Sequence, residues 1–176
     1  IAGMRHDAAT RATEFRYRAR TLYPHPVAYR WRIVEAGDGS LDAYQQILES
    51  TETLTCYLAC MALVALRDVE GVDIGYVDTM AEKLTEKGHG TSFGDWATIL
   101  EHANRSKAIA KVERLLPFYE VFHVLDDATG EALQRLRERR NDFAHNRGPK
   151  GESEVSEACE EALSDLEALM KSAEFL

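Results

Sequence analysis

The sequence predicts an all-α protein: an antiparallel bundle of four to five main helices, joined by short loops and preceded by an N-terminal arm. Apolar residues recur at steps of three and four along several segments, whereas alternating β-strand patterns and solenoid-length repeats are absent. The length of 176 residues and the hydrophobic content of 45% suit one domain with a substantial core.

The first segment is rich in arginine and alanine. Residues 4–22 are predicted to form a helical arm, which ends where Pro24 and Pro26 restrict the residues before them. We therefore assign residues 1–23 to an N-terminal arm and residues 24–176 to the helical domain.

The longest helix is predicted over residues 41–67, after a loop at 37–40 that contains two glycines. Its apolar stripe consists of Tyr44, Ile47, Thr51, Leu54, Leu58, Met61 and Ala65. Since the helix becomes apolar on every side from Leu58 to Leu66, we expect that end to lie at the centre of the bundle.

Capping residues mark the helices of the second half. Ser92, with Asp95 three residues on, forms a capping-box pattern, and Pro117 suits the first turn of an apolar helix. The predicted helices are 73–87, one that begins after Ser92, 117–125, 129–144 and 153–173.

The charge distribution is uneven. A net charge of −9 argues against a protein that coats nucleic acid indiscriminately, but residues 135–150 carry +4 and residues 5–32 carry +5. Such patches can bind phosphate locally. The aromatic residues among the N-terminal arginines either stack RNA bases or pack the arm onto the bundle or onto a second copy; they are Tyr17, Tyr23, Tyr29 and Trp31.

Metal ligation is not favoured by any pattern. Cys56 and Cys60 lie one helical turn apart with no zinc-like partner pair, and we interpret them as buried small hydrophobic residues. The pairs Glu120-x-x-His123 and Glu86-x-x-His89 match the ligands of di-iron bundles, but the second falls in a predicted loop. We predict no metal and no cofactor.

The sequence has three cysteines and no signal-peptide pattern, and its apolar runs are shorter than the ~20 residues that cross a bilayer. We therefore predict a reduced, cytoplasmic protein without a membrane partner.

The most informative segment is the predicted helix over 129–144 and the residues that follow it. Leu133, Leu136, Arg140 and Phe143 share one helix face, so Arg140 occupies a position where the pattern requires an apolar residue. Burying an unpaired guanidinium is costly. Arg140 must therefore meet a carboxylate, line a cleft or face a partner chain.

Two acidic residues on the central helix are candidate partners for Arg140. They are Glu49 and Glu52, of which Glu52 lies beside the apolar stripe and is the better candidate. His145 lies on a different face from Arg140 on an ideal helix. The two side chains can converge only if the helix ends near Ala144, which Asn146 and the Gly148-Pro149 pair favour.

The segment Arg-Asn-Asp-Phe-Ala-His at 140–145 resembles the signature of HEPN domains: an arginine, usually a polar residue after it, and a histidine a few positions later. A long apolar helix before the motif and an amphipathic helix after it fit the same family. The segment 91–96 also looks like a spacer found in bacterial defence-associated members. The resemblance covers roughly residues 24–173.

The resemblance implies a helical bundle that homodimerises, so that two copies of the motif share one cleft. Many members are metal-independent endoribonucleases, often toxins or antiphage effectors, which implies RNA as the substrate and further domains, an antitoxin or a defence partner beside the chain. By position, His145 is the proton-transfer residue, Arg140 the phosphate clamp, and Asn141 orients one of them or bonds the phosphate. The remaining candidates for phosphate binding are Arg137, Arg139, Arg147 and Lys150.

The motif also departs from the family pattern. Arg147 stands where some antitoxin-regulated members carry a modified tyrosine, so that mode of control is not implied. Asp142 would repel phosphate unless it pairs with an arginine; with Glu52 it is a candidate orienting carboxylate. Since catalytically silent members exist, the alternative function is a HEPN dimerisation or RNA-binding module of a larger multidomain protein.

Overall fold

The structure, a computed structural model, describes residues 14–67, 69, 76–85 and 90–176. Its described part is helical and contains no strand. The α-helices are α1 (Phe15–Thr21), α2 (His25–Glu35), α3 (Leu41–Leu66), α4 (Tyr76–Thr85), α5 (Phe93–Arg105), α6 (Asp127–Ala144) and α7 (Glu152–Ser172). Three short 3₁₀ turns connect α5 to α6: Ile109–Lys111, Glu113–Leu115 and Tyr119–His123. The all-α prediction is confirmed.

Most helix boundaries follow from local chemistry. Ser40 caps α3 by accepting a hydrogen bond from the backbone amide of Ala43. Ser92 and Asp95 form the predicted capping box of α5, and Asp126 caps α6 in the same manner with Thr129. The predicted ends of the helix over 73–87 lie outside the described residues.

The helix α2 was not predicted from the sequence. It begins directly after Pro24, with Pro26 in its first turn, where a missing backbone N–H costs nothing. The chain therefore leaves the arm helix before the prolines, as predicted, and the same prolines start α2.

The predicted apolar helix over 117–125 is wrong. Phe118 has a φ of 57°, in the left-handed region that breaks a helix, and a 3₁₀ turn follows it. Asn104 on α5 supplies the hydrogen bonds that a helix would have made: its side chain donates to the carbonyl of Val121 and accepts from the amide of Leu125. Val121 and Phe122 are buried, so the apolar pattern indicated burial rather than helix.

The helix α3 forms the centre of the bundle and packs against α2, α5, α6 and α7. All but one of its predicted stripe residues are buried, the exception being the half-buried Met61. The expectation that its C-terminal end is enclosed on every side is wrong, because Cys60 is exposed and Val64 is 61% exposed. The neighbouring helices cover one face of that end only.

The described end of the N-terminal arm packs onto the bundle. Tyr23 is buried and its hydroxyl donates to the carbonyl of Met170 at 2.7 Å. Burial, together with nearby Glu174, raises the pKa of Tyr23 to about 12. Trp31 is also buried, against Phe15, whereas Tyr29 is exposed. The aromatic residues were expected either to stack RNA bases or to pack onto the bundle. Tyr23 and Trp31 pack onto the bundle.

By length and composition, α3 qualifies as a candidate membrane span, with a mean hydropathy of 1.3 over its most apolar window. Half of that window is buried inside the bundle. A core helix of a water-soluble bundle passes the same test of length and composition.

Replacing Leu133 with alanine is expected to lower the free energy of unfolding by about 3 kcal/mol. The Leu133 side chain is fully buried on α6, and its truncation leaves a cavity that close-packed neighbours fill only in part. Urea unfolding followed by circular dichroism measures the change. Leu115→Ala, at an 86% exposed leucine, is the matched control and should change stability little; equal losses in both variants would contradict the described core.

Candidate active site

The motif helix α6 ends where the sequence predicted. His145 is the capping residue that follows Ala144, and Asn146 adopts a φ of 56°. The backbone amide of Arg147 donates to the carbonyl of Asp142 at 2.7 Å, and that of Asn146 donates to Phe143 at 3.1 Å. This pair of hydrogen bonds is a Schellman motif, which tolerates asparagine in the left-handed position. The helix α6 thus ends at Ala144, and His145 follows it as the C-cap residue.

Arg140 meets the carboxylate that the sequence favoured. Its Nε lies 3.4 Å from Oε2 of Glu52 on α3, and both side chains are about one-third exposed (34% and 33%). Glu49, the other candidate, pairs instead with Arg30 at 2.9 Å. Within the described ranges, the two Nη groups of Arg140 donate no hydrogen bond. Glu52 therefore fixes the guanidinium from one side and leaves its other donors available.

Arg140 also lines a cleft, a cavity of about 700 Å³ between α6, α3 and the start of α5. Its α6 wall includes Arg137, Glu138, Arg140, Asn141 and Ala144, and Glu52 lies on the α3 side. The opposite wall consists of Tyr76, Lys83, Thr98 and the segment 91–95. A cleft was one of the three alternatives that the sequence pattern left for Arg140, and the pattern gave no sign of this opposite wall.

A buried acid organises the opposite wall. Asp95 accepts hydrogen bonds from the Tyr76 hydroxyl at 2.7 Å and from the amide and hydroxyl of Ser92, both at 2.8 Å, and it also binds Lys83. Burial alone would raise the pKa of Asp95, but these hydrogen bonds outweigh it and hold the pKa well below its ordinary value. Asp95 is therefore ionised at neutral pH, and the same contact raises the pKa of Lys83.

Replacing Asp95 with asparagine is expected to destabilise the fold by about 2 kcal/mol at pH 7, because the amide cannot accept all four hydrogen bonds and Lys83 loses its counter-charge. Because the folded pKa of Asp95 is lowered, its contribution is present above the ordinary carboxyl pKa and disappears as the pH falls through the folded value. Urea unfolding at pH 3, 5 and 7 measures the difference in the free energy of unfolding between the unmutated chain and Asp95→Asn. This difference should become smaller toward pH 3.

The control for this prediction is Glu82→Gln, an exposed acid on α4 beside Lys83. It should leave stability unchanged at each pH. If the difference in unfolding free energy between Asp95→Asn and the unmutated protein is constant from pH 3 to pH 7, Asp95 is not the ionised, hydrogen-bonded acid described above.

The other arginines of the motif each carry an acidic partner. Arg139 binds Glu161 at 2.8 Å, Arg147 binds Asp142 at 3.0 Å, and Arg137 lies 3.5 Å from Glu101. Lys150 is exposed after the helix end. The local excess of positive charge in the sequence is therefore offset in the fold by carboxylates from α3, α5, α7 and the motif itself. Asp142 pairs with an arginine, the condition under which it does not repel phosphate.

His145 is exposed, and its side chain is not part of the cavity wall, although Ala144 before it is. Within the part of the chain that the structure describes, its ring makes no hydrogen bond or ion pair. One copy of the chain thus brings Arg140, Asn141, Arg137 and Glu52 together on one cavity and holds His145 outside it, immediately past the helix end.

The cysteines differ from their interpretation in part. Cys159 is buried, Cys56 is half-buried and Cys60 is exposed, so the expectation of burial is wrong for Cys60. Burial and the nearby Cys60 thiol raise the pKa of Cys56 to about 11, which keeps it protonated at neutral pH. Among the described residues, no group of three or more histidine, cysteine or acidic side chains could hold a metal ion.

The two E-x-x-H pairs do not form a di-iron site in the described residues. Glu120 and His123 lie in the 3₁₀ turn before α6, with the His123 ring 6.5 Å from that of Tyr119, rather than inside a bundle of facing helices. Glu86 and His89 lie outside the described residues.

Several site residues were not found from the sequence. Tyr76 and Lys83 join the wall through contacts with Asp95 across 19 and 12 positions, and such pairings have no periodic signal. Asp95 was recognised only as a helix cap. Its capping role uses one carboxylate oxygen and the contacts with Tyr76 and Lys83 use the other.

No family model matches the chain, and neither a curated protein nor a solved structure matches it. The resemblance to HEPN domains stays a prediction from the sequence motif.

Proposed function

We propose that this chain is a metal-independent endoribonuclease of HEPN type, acting in the cytoplasm in antiphage defence or a toxin-like system. The observation that carries the proposal is Arg140: a guanidinium on the wall of a cavity of about 700 Å³, fixed through Nε by Glu52, with both Nη groups without a protein partner in the described ranges. Two parallel N–H donors suit the oxygens of a phosphodiester.

In this mechanism the RNA supplies its own nucleophile. An imidazole of His145 accepts the proton of the 2′-hydroxyl, O2′ attacks the adjacent phosphorus, and the P–O5′ bond breaks. The leaving 5′-oxygen takes a proton from a protonated imidazole, so that the products are a 2′,3′-cyclic phosphate and a 5′-hydroxyl. Arg140 offsets the charge that develops on the phosphoryl oxygens, and Asn141 beside it donates to the same group or orients its neighbour.

Two copies of the chain complete this site. In the part of one copy that the structure describes, the wall of the Arg140 cavity includes no imidazole, while His145 is exposed just past α6. Pairing of two motif helices brings His145 of the second copy toward the cleft, which is the arrangement that the family resemblance implies. The dimer is thus part of the catalytic proposal.

A second candidate function is a catalytically silent HEPN module that dimerises a larger protein or binds RNA. The observation that favours it is the pairing of the motif arginines, since Arg137, Arg139 and Arg147 each lie within 4 Å of a carboxylate. Such pairs weaken the positive potential that draws RNA to a surface. The available Nη groups of Arg140 favour the enzyme.

The test is incubation of the purified chain with total RNA in excess EDTA, followed by analysis of the RNA ends. The enzyme proposal predicts fragments with 2′,3′-cyclic phosphate and 5′-hydroxyl ends. Intact RNA at all protein concentrations would support the silent module instead. Fragments with 5′-phosphate ends would contradict attack by the 2′-hydroxyl.

We expect the chain to sediment with a mass of about twice 19.8 kDa at micromolar concentration. The proposed site requires dimerisation, because His145 of one copy lies outside the cavity that Arg140 lines. Sedimentation velocity measures this mass directly. A monomer at every concentration would contradict the two-copy site.

A further inference from the structure

A second cavity, of about 660 Å³, lies on the other side of the Arg140–Glu52 ion pair. Glu52, Thr91 and Arg140 line both cavities, so the two form neighbouring compartments that share the arginine at their boundary. Nothing in the proposed chemistry uses the second compartment. Its remaining lining comes from Pro26, Arg30, Glu49, Thr53, Cys56, Tyr57, Cys60 and Trp96.

The indole of Trp96 lines this compartment. Trp96 is half-buried, whereas Trp31, the other tryptophan of the chain, is 1% exposed within the core. In the described part of the chain, the Trp96 ring has no aromatic neighbour, and its Nε1 donates no hydrogen bond. Tyr57 on α3 adds a second aromatic side chain to the wall. Both rings pack partly against the core, and both line the compartment.

The charges of the compartment favour an uncharged ligand over a second phosphate. Arg30 is held by Glu49 at 2.9 Å and also donates to Gln46. Cys56 is a protonated thiol. Arg140 is likewise paired with Glu52, so the formal charges of the two arginines and two glutamates on this wall cancel, and Arg140 lies at the boundary with the first compartment. A ligand that matches this arrangement has a flat, uncharged group for the second compartment and a phosphate for Arg140.

We propose that the second compartment binds the nucleobase next to the phosphate that Arg140 holds, by stacking on Trp96. The part played by the phosphate rests on the proposed function; the base site itself does not. Every nucleobase has a π-face, so stacking on an indole is tolerant of sequence, and it strengthens binding by about tenfold. A phosphodiester at the shared boundary places its two flanking nucleosides in the two compartments.

Tryptophan fluorescence, excited at 295 nm, tests this proposal with two probes. Adenosine alone probes the base site, and 2′-deoxyadenylyl-(3′→5′)-adenosine, which lacks the attacking hydroxyl, probes the base site together with the phosphate. Adenosine should quench the emission of the unmutated chain and of Arg140→Ala alike. In Trp96→Phe, whose remaining tryptophan is the buried Trp31, the quenching should disappear.

Calorimetric titration of the dinucleotide separates the base site from the phosphate clamp. Trp96→Leu should bind the dinucleotide about tenfold more weakly than the unmutated chain, and Trp96→Phe, which keeps an aromatic face, should retain most of the affinity. Circular dichroism of each variant checks that the fold is intact.

The outcomes distinguish the two proposals. The base site is overturned if adenosine does not quench the emission and if Trp96→Leu binds the dinucleotide as tightly as the unmutated chain does. The ribonuclease proposal would then still depend on its own tests. A different result would separate the two roles. If adenosine quenches the emission only when Trp96 is present, and Arg140→Ala does not change the dinucleotide affinity, the base site is supported and Arg140 is not the phosphate clamp.

Discussion

His145→Ala is expected to lower the rate of metal-independent RNA cleavage by about 10²–10⁴-fold. The reaction needs a proton removed from the 2′-hydroxyl and one delivered to the 5′-oxygen, and the imidazole is the side chain of the motif suited to both transfers. His145 is exposed beyond the end of α6, so the substitution removes no core contact and should leave the fold intact. A single-turnover assay in EDTA on a defined RNA measures the rate.

The same assay across pH 5–9 adds a readout that a structural role would not alter. The pH dependence of the cleavage rate should differ between His145→Ala and the unmutated chain, because the substitution removes the group that transfers the proton. The control is His25→Ala, an exposed histidine at the start of α2 that stacks on Tyr29 and should cleave at the unmutated rate. Equal rates for His145→Ala and the unmutated chain would exclude His145 from proton transfer.

Arg140→Ala is expected to lower the same rate by about 10²–10³-fold, because the transition state loses the donors that offset charge on the phosphoryl oxygens. Arg140→Lys keeps the charge but not the planar pair of donors, so it should recover only part of the activity. The ion pair with Glu52 is one-third exposed, and its loss should cost less than about 1 kcal/mol of stability. The loss of rate is therefore not a loss of fold.

The matched control is Arg16→Ala, which removes another arginine from an ion pair with a glutamate, Glu167, at 2.8 Å on the arm side of the bundle. Its cleavage rate should equal that of the unmutated chain. If Arg140→Ala retained full activity at an unchanged unfolding midpoint, the guanidinium would have no part in the reaction.

The predictions that were confirmed depend on short-range chemistry. The α6 helix ends at Ala144 because Asn146 tolerates a left-handed backbone and closes a Schellman motif, and both follow from the residue types. The charged position in an apolar stripe left three alternatives for Arg140, a carboxylate partner, a cleft or a partner chain, and the structure shows the first two. Glu52 was the better partner because it lies next to the stripe that faces α6.

The features that were missed depend on contacts between distant segments. The apolar run over 117–125 would suit a helix, but Asn104, from another helix, supplies side-chain hydrogen bonds to its backbone, and Phe118 turns the chain. The wall formed by Tyr76, Lys83 and Asp95 likewise depends on the packing of α4 against α5. Neither arrangement leaves a periodic pattern in the sequence.

Dimer formation and catalysis are tested together by the cleavage rate per chain, measured in EDTA across a dilution series whose dimer fraction is known from sedimentation. If Arg140 and His145 act in a cleft shared by two copies, the rate per chain should fall in proportion to the dimer fraction. A dilute monomer that cleaves RNA at the full rate per chain, or a dimer that cleaves none, would contradict the account.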